Sequence, residues 1–232
     1  MLPPRSRGAC PDHVINREVI VATSVPAQPL VLGVDLRSGP RYPTGIAVMD
    51  AARRCLTVAK VRTDEEIFAL VEAYRPRLVA IDAPLGLPEG RDCADPTCAC
   101  ASVGIMREVD RLAAAQGYRP FPALLPSMVK MTLRGIALRE TLTEMAHEVV
   151  EVYPGMTQDI LGIPRKGAGV DGLRRGLKRR GVRGLPRRPI SHDELDAVTC
   201  ALTGWLYLDG LTETMGSGLP APLVLPDRRL AW

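Results

Sequence analysis

Aromatic side chains make up only 4% of this 232-residue chain, so aliphatic residues must build its core. Lysine is also scarce: Lys60, Lys130, Lys166 and Lys178 stand against 26 arginines, and the net charge is +4. A GC-rich genome explains that total as well as a phosphate-binding role does, so the positions of the arginines say more than their number. Long apolar runs are missing. The longest, 197 to 208, covers 12 residues, against the ~20 needed to cross a bilayer, which excludes a spanning helix there. The opening stretch MLPPRSRGAC has none of the apolar character of a secretory signal, so a cytoplasmic location and no membrane partner are expected. Six cysteines in a chain of this length read as reduced thiols rather than a disulfide framework. With 46% hydrophobic and 24% charged residues, the composition is that of a globular protein long enough to bury one core.

The runs LVLGVDL (30–36), TGIAVMD (44–50) and CLTVAKV (55–61) are β-rich and separated by short loops, which predicts an antiparallel meander. Thr63 and Glu66 stand in capping-box spacing before apolar residues at Ile67, Leu70, Val71 and Tyr74, predicting a helix that Pro76 stops. RLVAIDAPLG then supplies a fourth strand, which the helical crossover makes parallel to one already in the sheet. Residues 87–128 read as an insertion around a helix near 104–116, followed by a helix over 131–146 and a fifth strand in HEVVEVYPG. Residues 165–188 form a basic, Gly-rich stretch, and SHDELDAVTCALTGWLYLDG opens with a second capping box, Ser191 and Glu194, on a helix to about Leu208. The expected organisation is a tail or accessory segment over 1–28 with one possible strand at EVIVAT, a folded domain over 29–211, and a Pro-rich tail over 212–232 in which PLVLP adds at most an edge strand. The element order predicts an α/β sheet of mixed direction.

Two of these strands end on a carboxylate. Asp35 closes VLGVD and Asp82 closes LVAID. If the strands lie side by side and parallel, the two groups share one sheet edge about 5 Å apart and repel each other unless a cation sits between them. Oxygen-only ligands point to Mg²⁺ or Mn²⁺. The last helix offers Asp193 and Asp196 at i, i+3; Asp196, flanked by Leu195, Ala197 and Val198, is the more telling, because the helix dipole alone accounts for an acid at Asp193. Glu151 interrupts the fifth strand and reads equally as a site residue or as an outward-facing residue of an edge strand. Asp50 belongs to a hairpin turn at the opposite edge.

In order along the chain, LGVDLRSGPRYPTGIAVMD, VAIDAPLGLP, REVDRLAAAQGYRPFP, VVEVYPG and HDELDAVTCALTGW resemble the successive motifs of the family called domain of unknown function 429, predicted nucleases with an RNase H-like fold. The resemblance spans roughly residues 29 to 211. It implies a five-stranded mixed sheet in the order 3-2-1-4-5 flanked by helices, with acidic metal ligands at Asp35, Asp82 and Asp196. RNase H-like nucleases hold the scissile phosphate with two divalent ions about 4 Å apart. On that pattern Asp35 bridges both ions, Asp82 and Asp196 hold one each, and Glu151 or Asp193 assists. The stretch 165–188 carries ten Lys or Arg against the single acid Asp171, among them Arg174, Arg175, Lys178 and Arg179, and suits a nucleic-acid partner, DNA or RNA. A solvated loop explains it equally well. Arg107 and Asp110, at i, i+3 in REVDR, read either as a surface pair or, on the resemblance, as groups facing the site.

The function expected is therefore a metal-dependent phosphodiesterase acting on nucleic acid. Two other readings remain open. A non-catalytic nucleic-acid-binding module would keep the acidic cluster for a structural ion. A sugar-kinase or actin-type ATPase shares the sheet, but DLRSG and DAPLG put Leu36, Arg37 and a proline where Gly-rich phosphate loops are needed. Cys93, Cys98 and Cys100 lie together in a loop and invite structural zinc with Cys10 or His13 as fourth ligand, yet Cys-x4-Cys-x-Cys is not a standard knuckle spacing and the reading is set aside. Cys55 and Cys200 read as small core residues, and His192 as an occupant of the helix start.

Overall fold

The computed structural model describes residues 28–231; the strand expected at EVIVAT, and Cys10 and His13, lie outside them. Among the described residues, six α-helices and seven strands follow in order: β1 (Leu30–Asp35), β2 (Thr44–Asp50), β3 (Cys55–Val61), α1 (Asp64–Tyr74), β4 (Leu78–Asp82), α2 (Glu108–Ala115), α3 (Val129–Glu144), β5 (Glu148–Val152), α4 (Pro154–Ile160), α5 (Val170–Arg179), α6 (His192–Leu208), β6 (Thr212–Met215) and β7 (Leu223–Pro226). Strands β1, β2 and β3 form the antiparallel meander. Strand β4 lies parallel to β1, and β5 parallel to β4. The order 3-2-1-4-5 expected for these five strands is thus present. Both capping boxes form: Thr63 Oγ1 accepts from the Glu66 N–H, and Ser191 Oγ from the Glu194 N–H. No helix of the described residues is long and apolar enough to cross a membrane.

Two expectations are corrected. The sheet of the described residues has seven strands, in the order β3-β2-β1-β4-β5-β7-β6, because residues 212–226, expected within a tail, supply two of them. Strand β7, expected at most at an edge, pairs with β5 on one side and β6 on the other. All four of its residues are buried, so it lacks the in-and-out pattern of an edge, and its proline comes last. The second correction is the basic stretch. Rather than a Gly-rich loop it contains α5, a helix whose Leu173 and Leu177, four residues apart, enter the core. Within α5, Gly176 is a packing residue: a Cβ there would come within 2.7 Å of Ile163 Cγ2.

Alternation along the strands sends side chains to two different layers. Val31 of β1 and Leu78 and Ala80 of β4 face α6, whereas Leu32, Val34, Val79 and Ile81 face α1 and α3. Helix α6 lies so close to the sheet that at Gly33 and Gly45 only glycine fits beneath it. A Cβ on Gly33 would stand 2.1 Å from the Ala197 carbonyl oxygen, and one on Gly45 would stand 2.1 Å from that of Asp193. Both obstacles are backbone, which cannot step aside as a flexible side chain can. Gly33→Ala is therefore expected to cost about 3 kcal/mol, seen as a lower urea midpoint with an unchanged denaturant slope; a change under about 0.5 kcal/mol would mean that α6 does not press on β1 as described.

Candidate active site

The same alternation places the carboxylates. Asp35 follows Val31 and Gly33 on the α6 side of β1, and Asp82 follows Leu78 and Ala80 on the α6 side of β4. The two are register partners in the parallel pair. Their Cα atoms are therefore neighbours at about 5 Å. The first turns of α6 arrive over them because Gly45 receives the Asp193 carbonyl and Gly33 receives Ala197, the residue after Asp196. Asp196 is held by α4, where the buried Gln158 donates from Nε2 to Asp196 Oδ1 at 2.7 Å and to Thr199 Oγ1 at 3.3 Å. Asp193 lies 3.9 Å from Arg37 Nη1, at the mouth of the β1–β2 loop. The expected Asp35, Asp82, Asp196 and Asp193 thus gather at one edge of the sheet.

Charge behaves accordingly. Burial, followed by the charges of Asp82, Asp196 and Asp193, raises the Asp35 carboxyl well above the ordinary aspartate value, and Arg37 only partly opposes them. The Cys200 thiol below them is a second reporter: burial first, then Asp82, Asp35 and Asp196, push it well above the usual thiol range. Ligand oxygens of Asp35, Asp82 and Asp196 do not all lie within 4.8 Å of one another. Like charges spread in this way, and ligands distributed over two ions about 4 Å apart need no tighter grouping. An all-oxygen set whose central carboxyl is strained by its neighbours' charge fits a hard divalent cation.

Glu151 is not in this group. It pairs with Ile81 in register, and so points to the α1/α3 side, away from Asp35 and Asp82. Strand β5 is no edge strand, and Glu151 is 5% exposed. Its oxygens accept from Arg107 Nη1 and Nη2, both at 2.7 Å, and Oε2 also accepts the Leu85 N–H at 2.8 Å. The expected assisting ligand instead secures the turn that follows Asp82. Arg107 and Asp110 are correspondingly no surface pair: Arg107 Nε and Nη2 donate to Asp110 at 3.1 and 2.8 Å, and both residues are buried. Burial works against the guanidinium, but Glu151 and Asp110 outweigh it and hold Arg107 above its ordinary value, while burial pushes Glu151 up against the pull of Arg107.

The α5 cations divide. Arg174 turns inward to the Pro186 carbonyl, whereas Arg175, Lys178 and Arg179 are exposed. The chain after α5 runs to Arg183, which pairs with Arg54 in the β2–β3 turn. That turn lies at the far end of β2 from Gly45, so the last turn of α5 leads away from the carboxylates. His192 occupies the first position of α6, with Nδ1 buried.

Sequence reading missed Gln158 and a cavity. Pro154 at the first position of α4 was a legible helix start, but a neutral amide carries no motif. The cavity, about 450 Å³, opens beside Asp82 and is lined by Arg37, Tyr42, Arg107, Phe121 and Tyr153 among others. Phe121 and Tyr42 are 67% and 48% exposed, unusual for rings flanking a polar site.

A family profile described as "Protein of unknown function (DUF429)" matches residues 33–219. No curated protein matches the chain. Among solved structures, Thermus thermophilus RuvC in complex with a Holliday junction substrate is 17% identical, with 78% of this chain and 96% of that chain covered and a TM-score of 0.45. A second Thermus thermophilus RuvC structure is 15% identical, with the same coverage and TM-score.

Proposed function

The chain belongs to the family described as "Protein of unknown function (DUF429)", and from that premise we propose that it is a metal-dependent phosphodiesterase that hydrolyses nucleic acid at Asp35, Asp82 and Asp196. One observation carries the reading: two core strands end, in register, on aspartates facing the helix that delivers a third. Nothing in packing a sheet calls for three carboxylates there, and the penalty on Asp35 is the sort of cost that function maintains.

In this reading Asp35, Asp82 and Asp196 would hold Mg²⁺ or Mn²⁺, with Asp193 assisting, and such ions would supply an activated water and neutralise phosphate charge. Gln158 keeps Asp196 in one rotamer. Glu151, through Leu85 and Arg107, keeps the turn after Asp82 in place and is a positioning residue. Arg37 draws phosphate toward the rim. No side chain acts as nucleophile; Cys200 is sealed in the core and held protonated. A nucleotide beside the scissile phosphate enters the cavity, where Phe121, Tyr42 and Tyr153 offer faces for base stacking and Arg107 and Asp110 form the polar wall. The α5 cations Arg175, Lys178 and Arg179, with Arg174 behind them, touch phosphates remote from the reaction and contribute salt-sensitive affinity rather than rate.

The test is incubation of the full chain with labelled single-stranded DNA, duplex DNA, RNA and a four-way DNA junction, in Mg²⁺, Mn²⁺ or chelator. At least one substrate is expected to be cut only with an ion, and Asp82→Asn is expected to lower that rate by at least about 100-fold, the scale for losing a group that stabilises transition-state charge. Salt-sensitive binding with no cleavage in either ion favours a binding module instead. ATP hydrolysis without nucleic acid favours the kinase-type reading.

A further inference from the structure

Cys93, Cys98 and Cys100 lie in the insertion between β4 and α2, on none of the elements that carry Asp35, Asp82 or Asp196. The spacing looked unpromising in sequence, yet the fold brings the three sulfur atoms to one point. Cys93 Sγ is 3.7 Å from Cys100 Sγ, and Cys100 Sγ is 3.0 Å from Cys98 Sγ. All three lie within 4.8 Å of one another, the one such group of potential ligands among the described residues. Zinc–thiolate bonds of about 2.3 Å in a tetrahedron separate sulfurs by about 3.8 Å, so the arrangement is already close to that of three ligands. All three cysteines are free thiols. A disulfide joins only two sulfurs, and it leaves the convergence of a third unexplained.

We propose that Cys93, Cys98 and Cys100 form a zinc-binding site that clips the insertion between β4 and α2. The surroundings support it. The 3₁₀ turn over residues 99–103 starts at Cys98 and holds Cys98 and Cys100 on one short stretch of backbone, with the Ala101 N–H bonded to the Cys98 carbonyl at 2.8 Å. A borderline-soft cation placed between the three sulfurs serves all of them at once. The loop is shaped beforehand by Arg91, which is buried and donates to the carbonyls of Cys93 and Asp95, each at 3.0 Å. Its positive charge offsets the excess negative charge of three thiolates around Zn²⁺. The fourth position goes to a donor outside this group. Because the insertion leads directly to Arg107, the clip fixes the base of the segment that reaches Glu151.

The full chain, kept reduced, loaded with zinc and desalted, is expected to retain one zinc per molecule by elemental analysis, and Co²⁺ in its place should give an intense thiolate-to-metal band in the near ultraviolet. Cys98→Ser and Cys100→Ser should weaken zinc binding at least tenfold, while Asp35→Asn retains it. That last comparison separates this site from the acidic one, so either proposal can fail alone. Zinc retained undiminished by both serine variants, or a Co²⁺ complex without the band, overturns the assignment. If the serine variants do not fold, alkylation of the wild-type chain decides: zinc should protect Cys93, Cys98 and Cys100 from iodoacetamide, and equal labelling with and without zinc sinks the proposal.

Discussion

Asp35→Asn is expected to abolish ion-dependent cleavage and, in the metal-free protein, to raise the melting temperature. Ordinary active-site damage would not combine the two. The Asp35 carboxyl is raised in the folded chain by burial and by Asp82, Asp196 and Asp193, whereas unfolded it titrates near about 3.9. Between those values the native state holds the extra proton. Stability therefore falls as pH rises from the ordinary value through the raised one, and the full penalty persists above it. Asparagine cannot ionise, so the variant should lack this fall, and its advantage should vanish in acid, where Asp35 is protonated anyway. Mg²⁺ reverses the ranking by binding the native wild type, with a gain of about 2.7 kcal/mol at a hundredfold excess over Kd. Melting curves across pH, with and without Mg²⁺, test all of this. A variant that melts several degrees lower and still cuts would remove Asp35 from the proposed centre.

Arg107→Met should be the most damaging single change outside the glycine contacts. Arg107 is 3% exposed and joins Asp110 on α2 to Glu151 on β5. Taking away the guanidinium leaves two buried carboxylates facing each other, a loss of about 3–5 kcal/mol for breaking such a pair from one side. Lysine should not restore it, since one ammonium cannot replace two forked contacts. Adding Glu151→Gln to Arg107→Met should recover part of the loss, because the orphaned charge is then gone. Urea titration of the four species measures the coupling. A loss under about 1 kcal/mol for Arg107→Met would show that the cluster is solvated rather than sealed.

Much of this fold was legible. Capping boxes at Thr63 and Ser191, runs such as LVLGVD and LVAID, and the crossover lengths led to the meander, the parallel pair and the helix that closes the site. Asp35 and Asp82 stood out because each ends an apolar strand, and Asp196 because it is embedded in an apolar helix face. Glu151 was ambiguous for a physical reason: in EVVEV either set of alternate residues can face either layer, and only pairing with β4 decides which. Helix α5 was masked by its glycines, of which Gly176 makes close contact with Ile163 and Pro164, a tertiary fact with no local signature. Strands β6 and β7 are four residues each, with proline around or within them, too short for periodicity to register. The cysteines were discounted on spacing, which measures distance along the chain and not in space.

The position of β7 also bears on how the protein is made. Residues 223–226 complete the outer side of β5, whose Glu151 and Val152 pair with Leu223 and Val224. While the ribosome is still translating the segment before them, β5 has been synthesised but has an open flank, a ready template for another chain. The growing polypeptide thus exposes that flank of β5 from the strand's own synthesis until residues 223–226 follow, and a chaperone that covers β5 until β7 emerges would serve it better than one that acts earlier.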